Sequence, residues 1–201
     1  MEAATTRQLS SEKAQRIVEA MRTCVGKRGA TGATFDHVAR EAGVSRGLLH
    51  YYFGTKERLL VEVVRRDCDL RMERISATTA TAAGPDELLG ALGTSLLEMM
   101  DESPEFLVIL LELHTLGQQN EEIAVEVAEL HRRVRTHLAG VLGAARDQGA
   151  IRLDEDPEVV AEVLFSIADG LAMRMLAEPG RDFGPSVAAA TRAARALVLD
   201  V

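Results

Sequence analysis

Apolar residues recur every three or four positions along most of the chain, which is the spacing of amphipathic helices. We find no convincing strand of alternating apolar residues and no internal repeat. A first helix is predicted over residues 11–28, ended by Gly29 and Gly32. Four apolar residues share one of its faces: Ile17, Met21, Cys24 and Val25. The pattern therefore predicts an all-α fold.

Capping residues and prolines divide the rest of the chain into helices. A long helix is predicted to start after Thr55, which is a good N-cap. A Thr/Ala/Gly stretch at 76–84 separates two halves, and Pro85, Pro104 and Pro157 suit the start of a helix. Further helices are therefore predicted over residues 85–102, 104–117, 120–148, 157–177 and 185–199.

The last two predicted helices have compositions suited to an interface. The helix over 157–177 is apolar over more than one face, so it needs covering on two sides. The helix over 185–199 is rich in alanine, whose small side chain lets helices approach closely. The sequence therefore predicts a homodimer in which each subunit contributes these two helices to a four-helix interface.

The segment from Thr34 to Phe53 has the signals of a helix-turn-helix. Thr34 can cap a short helix, and the helix dipole favours Asp36 in its first turn. Gly43 can adopt the positive φ that a tight turn after a helix requires, and Ser45 can cap the next helix. This second helix is predicted to be a recognition helix that lies in a DNA major groove.

The outward residues of the predicted recognition helix have the chemistry of DNA binding. Arg46 can bind guanine O6 and N7 in a fork, and Leu48 can contact a thymine methyl. His50 and Tyr51 can donate hydrogen bonds to phosphates. Lys56 stands at a helix N-terminus, where free N–H groups and its ammonium can hold a phosphate. The predicted DNA-binding residues are Thr34, Ser45, Arg46, Gly47, Leu48, His50, Tyr51, Tyr52 and Lys56.

An alternative interpretation is that the aromatic residues of this segment are only core. Aromatic residues make up 3% of the chain, yet Tyr51, Tyr52 and Phe53 fall in a row. We expect Phe53 to be buried, Tyr52 to be partly buried, and Tyr51 to face outward. Gly47 has no side chain, which lets the helix approach DNA without a clash.

The charge of the chain is unevenly distributed. The net charge is −8, yet residues 1–76 carry a net +4 and residues 77–201 a net −12. A basic half can approach phosphates while an acidic half is repelled by them, which orients the molecule on a polyanion. Chance asymmetry is the alternative explanation, so charge alone does not decide between the two.

Several local motifs occur together between residues 17 and 60. They are Thr34, Val38-Ala39, Ala42-Gly43-Val44-Ser45, Gly47, Leu49, Tyr51-Tyr52-Phe53, Thr55-Lys56-Glu57 and Leu59-Leu60. With them, this segment resembles the TetR family of transcriptional regulators. One departure is His50, where many members have tyrosine. Three later stretches resemble the C-terminal domain of a BetI-like subgroup: Asp156-Pro157-Glu158, Asp169-Gly170-Leu171 and Glu178-Pro179-Gly180.

The resemblance implies a three-helix DNA-binding domain over residues 1–55, joined by a long helix to a ligand-binding and dimerisation domain within 56–201. Such a protein binds double-stranded, palindromic operator DNA as a homodimer, is often a repressor, and is released by a small-molecule effector. An activator or an effector-independent regulator is the alternative.

An effector pocket needs lining residues in the C-terminal half of the chain. Most candidates are apolar residues at helical spacing, which are more often plain core. Glu112 differs, because a buried carboxylate within an apolar run needs a hydrogen-bond partner or a cation. Our hypothesis is that Glu112 or His114 contacts a polar or cationic group of the effector; a structural buried pair is the alternative. The candidates are Met99, Phe106, Leu110, Glu112, His114, Leu138 and Phe165.

Other function classes have no visible carrier in the sequence. A Gly-rich phosphate loop, HExxH and GxSxG are absent, so neither an enzyme nor a cofactor is predicted. Cys24 and Cys68 lack partners at metal-ligand spacing, which favours reduced thiols over a metal site or a redox sensor.

The expected cellular location follows from sequence patterns, and a helical bundle for protein interaction is the second rival function after an enzyme. No apolar run approaches a membrane span, and residues 1–10 lack the apolar core of a signal peptide, so we expect a cytoplasmic protein. A helical bundle for protein interaction would explain the last two helices. It would not explain the array of residues from Arg46 to Lys56.

Overall fold

The computed structural model describes residues 12–201, and within that range the chain is helical apart from short connections. The helices are α1 Glu12–Gly32, α2 Phe35–Ala42, α3 Arg46–Phe53, α4 Lys56–Thr79, α5 Pro85–Glu102, α6 Glu105–Gly117, α7 Glu121–Asp147, α8 Pro157–Ala177 and α9 Gly184–Ala194. The all-α prediction is confirmed. The predicted start of the first helix at Ser11 and the polar segment 1–10 lie outside the described residues.

Local signals place most of the helix ends where the sequence predicts them. Gly29 interrupts α1 with a φ of 72°, in the left-handed region that favours glycine. The Asp156 side chain accepts a hydrogen bond from the backbone N–H of Glu158 at the start of α8. The Thr55 hydroxyl accepts one from the N–H of Arg58 at 3.2 Å, which caps α4 as expected.

The predicted end of the last helix is wrong. We predicted a helix over 185–199, but α9 ends at Ala194 and the chain continues in tight turns. Leu199 then pairs with Arg152 through two backbone hydrogen bonds of 2.9 Å. Val198, within these turns, is fully buried in the core of unit 2. The alanine-rich sequence carries no glycine or proline that would signal the end.

The described chain packs as two compact units. Unit 1 comprises the described residues up to Asp67 together with Glu105–Glu129, and unit 2 comprises Cys68–Pro104 and Leu130–Val201. The predicted functional division after residue 55 falls within unit 1 and stays a prediction.

The core of unit 1 holds the first three helices together. Helix α1 packs against α2 and α6, and α2 packs against α3. Ile17 and Met21 of α1, Val38 of α2 and Leu49 of α3 are fully buried. Burying an aliphatic side chain contributes about 1.5–3 kcal/mol, so these contacts set the angle between α2 and α3.

Ion pairs add directional contacts within unit 1. Arg22 of α1 pairs with the buried carboxylate of Asp67 at the end of this unit's part of α4. Arg65 of α4 contacts both Glu62 on its own helix, at 3.1 Å, and Glu126 of α7, at 2.7 Å. Asp67 and Glu62 are buried, so their carboxylates need cationic partners, and these pairs connect α4 to α1 and to the unit-1 part of α7.

Helices α5, α7, α8 and α9 enclose the core of unit 2. Leu88, Leu142 and Val160 are fully buried in one cluster, which also takes in Ala194 and Val198. A smaller cluster forms around Met175, Phe183 and Val187.

In the described part of the chain, no helix is both long and apolar enough to cross a membrane.

Candidate DNA interface

The turn between α2 and α3 is built from local hydrogen bonds. The Thr34 hydroxyl accepts from the N–H of His37 at 3.4 Å, and Ser45 Oγ accepts from the N–H of Leu48 at 3.3 Å. Gly43 adopts φ 64° and ψ 40°, so its N–H reaches the last carbonyls of α2. Arg16 of α1 donates to the carbonyl of Ala42 at 2.7 Å. These contacts complete the predicted helix-turn-helix.

Helix α3 buries one face and leaves the other to solvent. Leu49 and Phe53 are buried, as expected, and Leu48 and Tyr52 are half-buried. The exposed residues of α3 are Arg46, Gly47, His50 and Tyr51. A Cβ added at Gly47 would lie 3.9 Å from its nearest neighbour, Ser45 Oγ, so packing within the subunit does not require glycine at this position. The missing side chain leaves a shallow depression on the exposed face of α3. These four residues are among the predicted DNA-binding residues, and their contact with DNA stays a prediction.

The Arg46 guanidinium lies beside a carboxylate from the preceding helix. Its Nη1 donates to both oxygens of Asp36, at 3.3 and 3.4 Å. We had assigned Asp36 only to the helix dipole of α2, so this cross-helix pair was missed. The signal that could have found it is the occurrence of opposite charges in the first turns of two helices joined by a tight turn.

The imidazole of His50 is held in one orientation. Its Nδ1 lies 3.0 Å from the carbonyl oxygen of Gly54, and its ring stands edge-on to Phe35 at a centroid distance of 4.9 Å. Since a carbonyl only accepts hydrogen bonds, Nδ1 must carry a hydrogen. The neutral ring then offers an acceptor at Nε2, and only the imidazolium can donate from Nε2 to a phosphate. This refines the predicted phosphate contact.

Lys56 lies at the start of α4, close to the tail of α1. Its ammonium donates to the carbonyl of Thr31 at 3.2 Å, and the residue is half-buried. An ammonium has three donors, so the remaining ones can still serve an anion. The contact places a fixed positive charge beside the first turn of α4.

Two family descriptions match this chain and together cover most of it. Residues 17–63 match "Bacterial regulatory proteins, tetR family". Residues 85–200, more than half of the chain, match "BetI-type transcriptional repressor, C-terminal". The chain belongs to the TetR family of transcriptional regulators. The predicted helix-turn-helix and the expected BetI-like C-terminal domain are both confirmed.

Relatives of this TetR-family regulator agree with the assignment. The regulator BetI of Agrobacterium fabrum is 31% identical over 159 residues, which is 79% of this chain and 74% of that protein. The fold is similar to FadR from Bacillus subtilis bound to stearoyl-CoA, with a TM-score of 0.75 at 19% identity, covering 90% of this chain and 97% of that one. A regulator from Saccharomonospora viridis solved with choline has a TM-score of 0.70 at 25% identity, with coverage of 92% and 97%.

The candidate effector residues of the TetR-family protein are divided between the two units. Phe106, Leu110, Glu112 and His114 lie on α6 in unit 1, whereas Met99, Leu138 and Phe165 lie in unit 2. Glu112 is half-buried, whereas the hypothesis that it needs a hydrogen-bond partner or a cation assumes a buried carboxylate.

The candidate effector residues also differ in burial and in their contacts. His114 is exposed, with Nδ1 2.8 Å from the carbonyl oxygen of Leu110. Phe106 is buried, and Leu138 and Phe165 belong to or pack on the larger core cluster of unit 2. Packing in the cores accounts for Phe106, Leu138 and Phe165 without a ligand. A role in an effector pocket stays a prediction for all seven candidates.

Cys24 and Cys68 of this regulator are reduced thiols buried in helices, as the sequence predicts. Burial, followed by the nearby carboxylate of Glu41, raises the pKa of the Cys24 thiol. A raised pKa lowers the fraction of reactive thiolate, which fits a packing role for Cys24.

Across residues 12–201 no group of three His, Cys, Asp or Glu side chains is arranged to hold a metal ion.

Proposed function

We propose that this regulator is a homodimeric repressor that binds a palindromic operator and is released by a small-molecule effector. The observation that carries the DNA-binding part is the exposed face of α3, where a guanidinium, a side-chain-free glycine, an imidazole and a phenol lie together. Two such helices, one per subunit, would enter major grooves about one helical turn apart.

Several residues on and beside this face have distinct proposed roles in DNA binding. Arg46 reads a guanine, and Leu48 contacts a thymine methyl group. Tyr51, exposed at 65%, donates to a phosphate, and Lys56 adds charge at the N-terminus of α4. Thr34 and Ser45 cap their helices and present the first turns of α2 and α3 to the DNA backbone.

Fluorescence anisotropy on duplex DNA tests this function directly. The duplex from upstream of the regulator's own gene is compared with scrambled DNA across a salt series. We expect tight binding to the first duplex that weakens as salt rises, because phosphate contacts release counterions. Absence of binding to any duplex would favour the interaction-bundle alternative.

Replacing Lys56 with glutamine should weaken binding to every duplex by a similar factor. The amide can still donate to the Thr31 carbonyl, so the fold contact is kept while the charge is removed. We expect the slope of log affinity against log salt to fall by about one for each subunit of the proposed dimer, or about two in all. Anisotropy on the operator and on scrambled DNA measures this, and a loss confined to the operator would contradict the role.

An exposed apolar stripe on α8 supports the proposed dimer. Val159 and Met173 are 51% and 52% exposed, although both are large apolar residues. The interface stripe, as we call it, follows a spacing of four and three residues along one side of the helix and consists of Val159, Val163, Ser166, Gly170 and Met173. The opposite side of α8 packs on α5 and α9. A second copy of α8 would cover this stripe.

Helix α9 offers a matching surface of small side chains. Ala188, Ala189 and Ala193 are exposed, and they allow close approach of a partner helix. The proposed interface uses α8 and α9 as the sequence predicts, with α9 ending at Ala194.

The effector is proposed to be a small cation-bearing molecule that contacts Glu112 or His114. The regulator from Saccharomonospora viridis was solved with choline, which makes choline the first probe. A half-buried carboxylate such as Glu112 can pair with a quaternary ammonium group.

Replacing Glu112 with glutamine should weaken the effect of choline on operator binding. The expected loss is about fivefold, the size of a partly exposed charge pair worth ~1 kcal/mol. Choline titrations of the operator complex, followed by anisotropy, measure it, with His114→Ala tested in parallel. Glu105→Gln, on the same helix, is the control. Unchanged choline response in both Glu112→Gln and His114→Ala would contradict the proposal.

The direction of regulation depends on where the operator lies. A repressor needs a site that overlaps a promoter, and an effector that favours a dimer geometry with mismatched helix spacing lowers DNA affinity. An activator, or a regulator that needs no effector, is the second candidate. Reporter transcription with the operator placed over or upstream of a promoter distinguishes them.

A further inference from the structure

Asp36 on α2 and Arg46 on α3 face each other across the helix-turn-helix, on the side that is proposed to meet DNA. The Asp36 and Arg46 side chains are 61% and 59% exposed. Both carboxylate oxygens approach the same nitrogen, Nη1, at 3.3 and 3.4 Å. The pair is therefore a surface contact between two helices whose relative position is already set by the core.

The geometry of the pair leaves the DNA-reading edge of the guanidinium available. A guanidinium is a rigid planar fork, in which Nε and Nη2 point two parallel N–H groups to the side away from Nη1. Two parallel donors are what guanine O6 and N7 accept. A carboxylate on Nη1 can thus hold the side chain without occupying the edge that would contact the base.

We propose that Asp36 is a positioning residue for DNA readout: its carboxylate holds Arg46 Nη1 so that the Nε–Nη2 edge is presented to a guanine. This inference rests on the proposed role of Arg46. A long side chain that is already ordered loses less conformational freedom when it binds, which strengthens the specific contact. The same carboxylate repels phosphates of any sequence. Asp36 thereby raises operator affinity and lowers affinity for other DNA.

A purely electrostatic role for Asp36 makes a different prediction. A carboxylate that only repels phosphates lowers affinity for all duplexes alike, so its removal would tighten all of them by one factor. A positioning carboxylate makes its removal weaken the operator complex while the scrambled complex tightens. The sign of the change on the operator separates the two roles.

The experiment measures dissociation constants by anisotropy at one salt concentration, on an operator selected from a random duplex pool and on a scrambled duplex. Asp36→Ala should weaken operator binding about two- to fivefold, as expected for an exposed ion pair, and tighten scrambled binding. In an Arg46→Ala background, Asp36→Ala should no longer weaken the operator complex. Asp36→Asn, whose amide oxygen can still accept from Nη1, should weaken the operator complex less than Asp36→Ala does.

Glu41→Ala is the matched control, since it removes another exposed carboxylate of α2 that pairs with Lys27 at 3.1 Å. Glu41→Ala should change the dissociation constants for the operator and the scrambled duplex by the same factor. Thermal unfolding of each variant checks that the loss of a first-turn carboxylate has not unfolded α2.

The outcomes distinguish this inference from the proposed function. If Asp36→Ala tightens the operator and the scrambled duplex equally, the positioning role is overturned while Arg46 keeps its role. If Arg46→Ala itself leaves operator specificity intact, the proposed role of Arg46 and the inference both fail.

Discussion

Replacing Gly170 with arginine should convert the proposed dimer to a monomer and lower operator affinity by about 10²–10⁴-fold, the gain that linking two binding modules provides. Gly170 lies in the middle of the exposed interface stripe of α8. A Cβ built there meets nothing within 4 Å, so the subunit has room for the new side chain. In a dimer, the arginine would place an unpaired charge in an apolar contact, which is strongly unfavourable.

Light scattering after size exclusion measures the mass of the variant, and anisotropy measures its operator affinity. Gly140→Arg is the control, because Gly140 is an exposed glycine of α7 whose added Cβ also meets nothing within 4 Å. It adds the same charge to the same unit, on a different helix from the stripe. A Gly170→Arg protein that keeps the dimer mass would refute the proposed interface.

Replacing Arg46 with alanine should cost about 1–3 kcal/mol of operator binding and relax specificity at one base pair of each half-site. The expected loss is selective because the fork of the guanidinium is proposed to contact one guanine, whereas binding to other DNA depends mainly on total charge. Arg46→Lys should lose most of the specificity as well, since an ammonium keeps the charge and lacks the planar fork.

Anisotropy on a series of operators, each with one base pair changed, measures the effect. Arg40→Ala is the matched control, because Arg40 is an exposed cation in the last turn of α2 and its removal changes the net charge equally. If Arg46→Ala and Arg40→Ala weakened all duplexes in the same way, Arg46 would be only a phosphate contact.

Sequence patterns predict the recognition motif well because its signals are local. The Thr34 and Ser45 caps, the positive φ of Gly43 and the burial of Leu49 and Phe53 all occur as expected. The caps and the turn depend on neighbours within about one helical turn, and the buried positions follow from the helical spacing of apolar residues. The TetR-family resemblance built on these residues is confirmed over 17–63.

The sequence predicts the residues of the candidate effector site less well than the recognition motif. An apolar residue at helical spacing looks the same whether it lines a pocket or fills a core. Leu138 illustrates this, since it is buried within the main cluster of unit 2. Glu112 stood out in the sequence as a carboxylate in an apolar run, yet it is half-buried, because the edge of a helix face can lie at the surface.

The sequence by itself determined the all-α class, nearly all helix positions and the recognition helix, because periodicity and capping act between residues close in the chain. Only the tertiary structure decided which groups from different helices meet. It paired Asp36 with Arg46, brought Lys56 to the Thr31 carbonyl and left one side of α8 exposed. It also ended α9 at Ala194, where the backbone pairing of Leu199 with Arg152 outweighs the helix propensity of alanine.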